Sequence, residues 1–184
     1  DGLTAAEMGT ALHVFLEHAD FSALAAAKDA GGLEEAILAE RQRQVDRQLV
    51  APEIAEKLDV SRIRRFVEGE AFAKICAADE VLRELAFITA LPAEAVLAAQ
   101  GTEGVRAEGE QVLVQGIADL VLVYPDHLEL LDYKTDRRKT EADFLRAYRA
   151  QLNLYALAID KRFAPKKVTY KGICSLELGK LIEV

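Results

Sequence analysis

The sequence predicts an α/β domain, a mixed β-sheet with helices packed on it. Three observations carry that expectation. Residues 112–136, VLVQGIADLVLVYPDHLELLDYKTD, are two apolar runs around a Tyr-Pro-Asp-His break, the pattern of an antiparallel hairpin. A helical pattern follows, from a Thr140-Glu-Ala-Asp143 cap to about Arg162. A further apolar run from Val168 then returns to the sheet, and a strand–helix–strand crossover after an antiparallel hairpin makes the sheet mixed.

Bulk properties narrow the class. The 184 residues suit one domain with a sizeable core, and 51% of them are hydrophobic. No apolar run approaches the roughly 20 residues of a membrane span, so no membrane association is expected. The net charge of -8 argues against a domain that grips nucleic acid by bulk electrostatics. Cys76 and Cys174 lie too far apart for zinc or iron–sulfur spacing and read as buried thiols. The chain begins at Asp1, without a methionine or a signal peptide, which reads as a fragment of a longer polypeptide.

The elements then follow in order. Thr4-Ala-Ala-Glu7 is a capping box, so a helix is expected from Ala5, with Met8, Leu12, Phe15, Leu16 and Ala19 as its apolar stripe. Gly9 is odd inside a helix, where glycine costs about 1 kcal/mol relative to alanine. Close approach of another backbone or a ligand would justify it. His13 sits at the stripe edge, where a lone histidine is more often structural than a ligand. Gly31-Gly32 breaks the chain, and Leu33 to about Leu49 reads as a helix, with Ile37, Val45 and Leu49 apolar among many charges. Shorter helices follow at Pro52, after Asp59 or Ser61, and from Gly69 to Ala78. Arg41, Arg43, Arg47, Arg62, Arg64 and Arg65 make this helical part, about residues 1–79, the most basic stretch. It reads first as a solvated face; the alternative is a surface for phosphates or for a partner protein. Val81 to Leu91 reads as the first strand, with Glu84 inside it. A Gly- and Glu-rich loop from Ala99 to Glu110 feeds the hairpin. After the long helix, with Leu145, Tyr148, Leu152, Tyr155 and Ile159 as its core stripe, two closing strands meet at Gly179.

The hairpin also carries the chemistry. With Pro125-Asp126 at its tip, Tyr124 faces His127, and counting back along both strands sets Asp119 opposite Asp132. Facing Cβ atoms on one sheet face lie roughly 5 Å apart, and like charges there weaken the sheet. Lys134 shares the face of Asp132 because strand side chains alternate. A solvated polar face or a Lys–Asp ion pair is the plain reading. Two acids meeting inside runs as apolar as LVLV and LELL are better explained by a hard divalent cation, since carboxylates with substrate phosphates are the usual shell of magnesium. Lys134 would then stand beside the metal, placed to help a water or a phosphate oxygen. Gln151 and Tyr155, four apart, are neighbours along one side of the long helix.

Gly9-Thr-Ala-Leu-His13, Gly116-Ile-Ala-Asp119, Asp132-Tyr-Lys134-Thr-Asp136 and Gln151-Leu-Asn-Leu-Tyr155 occur in the order and spacing of the RecB-like nucleases. The chain therefore resembles that branch of the PD-(D/E)XK superfamily over nearly its whole length. It looks most like the C-terminal nuclease domain of AddA-type helicase–nucleases. The resemblance implies a restriction-endonuclease-like core, a central mixed sheet flanked by helices, preceded by an N-terminal helical insert. Residues 1–184 would be one nuclease domain, with its sheet and catalytic core at about 80–184.

By the same resemblance Asp119 and Asp132 are metal ligands, the main-chain carbonyl of Tyr133 a further one, and His13 completes the shell. Lys134 orients or activates the attacking water. Gln151 and Tyr155 position the helix and the DNA backbone, Thr135 touches the strand, and Glu84 stands where relatives often carry an acid. Mg2+ is the implied cofactor, with Mn2+ as a substitute. The four-cysteine motif of sister branches is absent, so no iron–sulfur cluster is expected. The implied activity is hydrolysis of single-stranded DNA ends, delivered by a helicase motor beside an AddB-type partner in the bacterial cytoplasm, in the repair of double-strand breaks. The alternatives are a nuclease-shaped module that guides or docks without cutting, and a stand-alone exonuclease.

Overall fold

Five strands form one sheet in the order β1-β2-β3-β4-β5. The computed structural model describes residues 5–102 and 107–184. The strands are β1 (Glu80–Pro92), β2 (Gln111–Val123), β3 (Leu128–Lys134), β4 (Val168–Ser175) and β5 (Lys180–Glu183). The hairpin has the expected register, with Val123 paired to Leu128 and Leu120 to Leu131. The β3–β4 pairing is parallel: the Leu128 N–H donates to Lys167 O at 2.8 Å, and the Leu176 N–H to Lys134 O at 2.9 Å. The expected α/β class and mixed sheet are therefore present, with eight helices among the described residues.

The chain divides into two compact units. One comprises residues 1–77, 133–137 and 174–181, and the other residues 78–132, 138–173 and 182–184.

The first unit is built from α1 (Ala5–His18), α2 (Phe21–Ala30), α3 (Leu33–Asp46), α4 (Pro52–Ala55), α5 (Val60–Glu68) and α6 (Glu70–Ala77). Leu12, Phe15, Leu16 and Ala19 are buried as their spacing demands. Thr4, the head of the expected capping box, lies outside the described residues. Asp20 divides the first helical stretch in two: its carboxylate accepts the Ala23 N–H at 2.9 Å and starts α2. Phe21, Phe66 and Phe72 meet with ring centroids 5.5–6.2 Å apart. Ile37 is buried, and α3 ends at Asp46, before the expected end at about Leu49, which is exposed. Cys174 is buried, but Cys76, near the end of α6, is exposed, which corrects the expectation of two buried thiols.

Several arginines of the helical part are bound to neighbouring acids. Arg62 is buried and pairs with Asp59 at 3.3 Å and with Glu177. Arg43 pairs with Glu40 at 2.5 Å and donates to His18 O at 2.8 Å. Arg64 pairs with Glu68 at 2.9 Å. These cations hold the unit's own acids and helix ends, which leaves less positive charge for phosphates than their number suggests.

In the second unit β1 and β2 form a long antiparallel ribbon. The short helix α7 (Ala93–Ala99) follows β1, between the expected strand and loop, over residues for which no element was expected. The long helix α8 (Glu141–Arg162) starts at the expected capping box, Thr140 with Asp143. Leu152 and Ile159 of its core stripe are fully buried, joined by Phe144. They pack with Val121, Leu128, Leu130 and Ile173 in one cluster. Lys161 donates to Ala90 O at 2.6 Å and Arg162 to Ala86 O at 2.7 Å, so the end of α8 is tied to the main chain of β1. The β4–β5 turn closes on Gly179 at φ +65, a conformation in which a side chain would be strained.

Candidate active site

Strand pairing positions the acids. β1 and β2 pair residue for residue from Glu80–Val123 to Pro92–Gln111. Arg83 pairs with Leu120 and Leu85 with Ala118; the intervening Glu84 and Asp119 alone drop out of the ladder. Glu84 takes φ +47, a backbone region that non-glycine residues rarely enter. The two carboxylates bring oxygens within 4.8 Å of each other. Asp119 and Asp132 follow directly on the last β2–β3 pair, Leu120–Leu131, so the hairpin register sets them opposite each other. Asp132 is only 4% exposed, on a strand whose preceding residues are all buried. Three carboxylates stand on three adjacent strands, and oxygen donors of this kind suit a hard divalent cation.

The residues that follow Asp132 belong to the first unit. Tyr133 is buried, and its ring is gripped edge-on by Phe66 at 5.5 Å and by His13 at 5.7 Å. His13, on α1, therefore lies against the residue next in the chain to Asp132. Lys134 is half-buried, and its carbonyl is held by the Leu176 N–H. Gly9 faces Thr135: a Cβ on Gly9 would stand 2.6 Å from Thr135 Oγ1. The close approach that explains this helical glycine is to a side-chain hydroxyl, rather than to a backbone or a ligand.

The second unit seats the motif of α8. Tyr155 packs edge-on against Phe87 with centroids 4.9 Å apart. A Cβ on Gly116 would meet the Tyr155 ring and hydroxyl at 2.7 Å and the Phe87 ring at 2.8 Å. Gly116 thus keeps open the place that Tyr155 fills, while Gln151, one turn earlier, is half-buried. The structure makes Glu84 a stronger candidate than its sequence context did, because its facing partner is Asp119. Phe87, as half of the Tyr155 seat, carried no sequence signal beyond its place in an apolar strand. The motif glycine Gly116 was visible, though not what it accommodates.

Comparison with known proteins bears on this geometry. Residues 1–180 match the family described as the PD-(D/E)XK nuclease superfamily. One component of an ATP-dependent helicase/nuclease of Heliobacterium modesticaldum is 36% identical over 180 residues, covering 94% of this chain and 12% of that protein. Its namesakes from Moorella thermoacetica and Pelotomaculum thermopropionicum are 37% and 35% identical, covering 88% and 97% of this chain. The chain spans only 11–13% of the length of these three relatives. With that match over nearly its whole length and acids on adjacent strands, the chain belongs to the PD-(D/E)XK nuclease superfamily.

Proposed function

We propose that the chain is the nuclease domain of a longer helicase–nuclease and hydrolyses phosphodiester bonds of single-stranded DNA in a Mg2+-dependent reaction, with Mn2+ as a substitute. The carrying observation is the Glu84–Asp119 carboxylate pair beside the buried Asp132. In this reading Asp119, Asp132 and Glu84 hold the cation through carboxylate oxygens, with the Tyr133 carbonyl and a His13 ring nitrogen as further ligands. When bound, the cation lowers the pKa of a water and offsets phosphate charge. Lys134 hydrogen-bonds the attacking water and lies against the negative charge that grows on phosphate. The water oxygen bonds to phosphorus, the ester P–O bond breaks, and a proton passes to the departing oxygen. Gln151, Tyr155 and Thr135 fix the strand and the helix beside it.

The names of the relatives support the wider setting. In this reading a motor delivers the strand, an AddB-type protein is the partner, and the work is repair of double-strand breaks in the bacterial cytoplasm. Delivery by a motor suits a domain of net charge -8. The test is cleavage of labelled single-stranded DNA with magnesium, beside Asp132→Ala and Lys134→Ala. Cutting by the wild-type chain alone is expected. If the wild-type chain, at high concentration with either metal, cuts no better than both variants, the proposal of an autonomous enzyme fails.

A further inference from the structure

A second basic feature lies within the second unit, away from the Tyr155 side of α8. A groove of about 530 Å³ runs between the end of α7 and the first half of α8. Ala98 to Gly101 line one wall, and Arg146, Arg149 and Asn153 stand on the other. Positions 146, 149 and 153 are three and four residues apart, so they form one stripe of the helix. Ala142 and Ala150 on the same stripe keep the floor low. Lys171 of β4 joins the rim by donating to Asn153 Oδ1.

Among the described residues the charges here are unbalanced. Arg146 pairs with Asp143 at 3.6 Å, but that carboxylate also caps α8 through the Thr140 N–H and hydroxyl. Among the described residues Arg149 forms no ion pair. Burial and the neighbouring positive charge of Arg149 both push the Lys171 ammonium below its usual range. Three cations thus crowd one rim in a chain of net charge -8, and a bound anion would relieve their repulsion.

We propose that the α7–α8 groove, with Arg146, Arg149 and Lys171 on its rim, binds the phosphodiester backbone of a nucleic-acid strand. The proposal rests on the nuclease reading and adds a binding track that none of the three carboxylates lines. Guanidinium forks match phosphate oxygens two at a time. Cβ atoms one helical turn apart lie about 5–6 Å from each other, which suits successive phosphates along an extended strand. Gln151 and Tyr155 are on the same helix, so a strand held here is held by the element that carries that motif.

The experiment measures fluorescence anisotropy of a labelled oligothymidylate, in EDTA, across a salt series. Wild type is compared with Arg146→Gln/Arg149→Gln, Lys171→Gln and the charge-keeping Arg149→Lys. The double variant should bind about tenfold more weakly, and the slope of log K against log salt should fall by about 1.4, near 0.7 for each lost phosphate contact. Lys171→Gln should lose about one contact, and Arg149→Lys should keep the wild-type slope. All variants should match wild type in melting temperature and in magnesium-dependent hydrolysis of thymidine 5′-(p-nitrophenyl phosphate), a diester with a single phosphate. Wild-type affinity and slope in the double variant would overturn the groove, as would a wild-type chain that fails to bind the oligonucleotide. Hydrolysis of the small diester alone would leave the nuclease reading intact in either case. Loss of binding in the double variant of a chain that hydrolyses nothing would keep the groove and remove the nuclease reading.

Discussion

Glu84 and Asp119 face each other at the one break in an otherwise continuous β1–β2 ladder. The break, the φ of +47 at Glu84 and the 4.8 Å limit between carboxylate oxygens are three parts of one arrangement. A left-handed glutamate costs on the order of 1–3 kcal/mol. Facing like charges add about 0.2–1 kcal/mol. A cation bound there would offset the repulsion between the two carboxylates.

Glu84→Gln should therefore make the metal-free protein more stable, by up to about 1 kcal/mol, or about 2–4 °C in melting temperature for a chain of this size. It should also remove most of the stabilisation by magnesium, which for a site at a hundredfold its dissociation constant is about 2.7 kcal/mol. Glu84→Gly should lose the same metal response and gain further in metal-free stability from the relaxed backbone. Calorimetric melts with and without magnesium read both effects. An unchanged magnesium shift in both variants would remove Glu84 from the metal site.

Gly116→Ala tests the seat of Tyr155. The new methyl meets two aromatic rings below 3 Å, and a flexible chain end is not what must yield. Overpacking of this kind costs about 1–3 kcal/mol. Denaturant melts should show that loss, and combining the change with Tyr155→Leu should be clearly less than additive, because one ring is common to both effects. Strict additivity would mean that Tyr155 does not occupy this place in solution.

The hairpin and α8 could be read from the sequence because each is fixed by local chemistry. A Pro-Asp tip sets a register, and the Asp119–Asp132 relation follows by counting. The reciprocal bonds of Thr140 and Asp143 start a helix wherever they occur. Glu84 was harder to judge, since in EVLRELAF an acid among apolar residues suits an edge strand equally well. Its left-handed φ falls at the break in the β1–β2 ladder, which the pattern of a single strand does not reveal. Helix α7 was missed because an alanine-rich run between Pro92 and Gly101 lacks any capping side chain at its start. The partner of Gly9 was invisible because Thr135 lies more than a hundred residues along the chain.

Gly9→Ala sets two terms of similar size against each other. Alanine gains about 1 kcal/mol in a helix interior. Its methyl must displace the Thr135 hydroxyl, whereas Thr135 Cβ, at 3.8 Å, is in ordinary contact. In a Thr135→Ala background the clash disappears, so Gly9→Ala should there stabilise by about 1 kcal/mol, and in the wild-type background by much less or not at all. If cleavage is confirmed, the single variant should also lower it, because Thr135 adjoins Lys134, and the double variant should recover most of that loss beyond the effect of Thr135→Ala itself. Equal stabilisation in both backgrounds would show that Thr135 does not crowd Gly9.

The cap of α8 predicts a pH dependence. The Thr140 N–H and hydroxyl donate to Asp143 Oδ2 at 3.0 and 2.8 Å, and with Arg146 nearby they hold the Asp143 carboxyl below the usual carboxylate range. The folded state then binds this proton less readily than the unfolded chain. The stabilisation is therefore present above about pH 4, the unfolded value, and is lost as pH falls through the lower folded value. Asp143→Ala should melt below wild type at neutral pH, and the gap should narrow steadily with acid over that window. The amides at the start of α8 should lose hydrogen-exchange protection in the same variant. A gap that stays constant from neutral pH to about pH 2 would mean that the cap does not depend on the carboxylate charge.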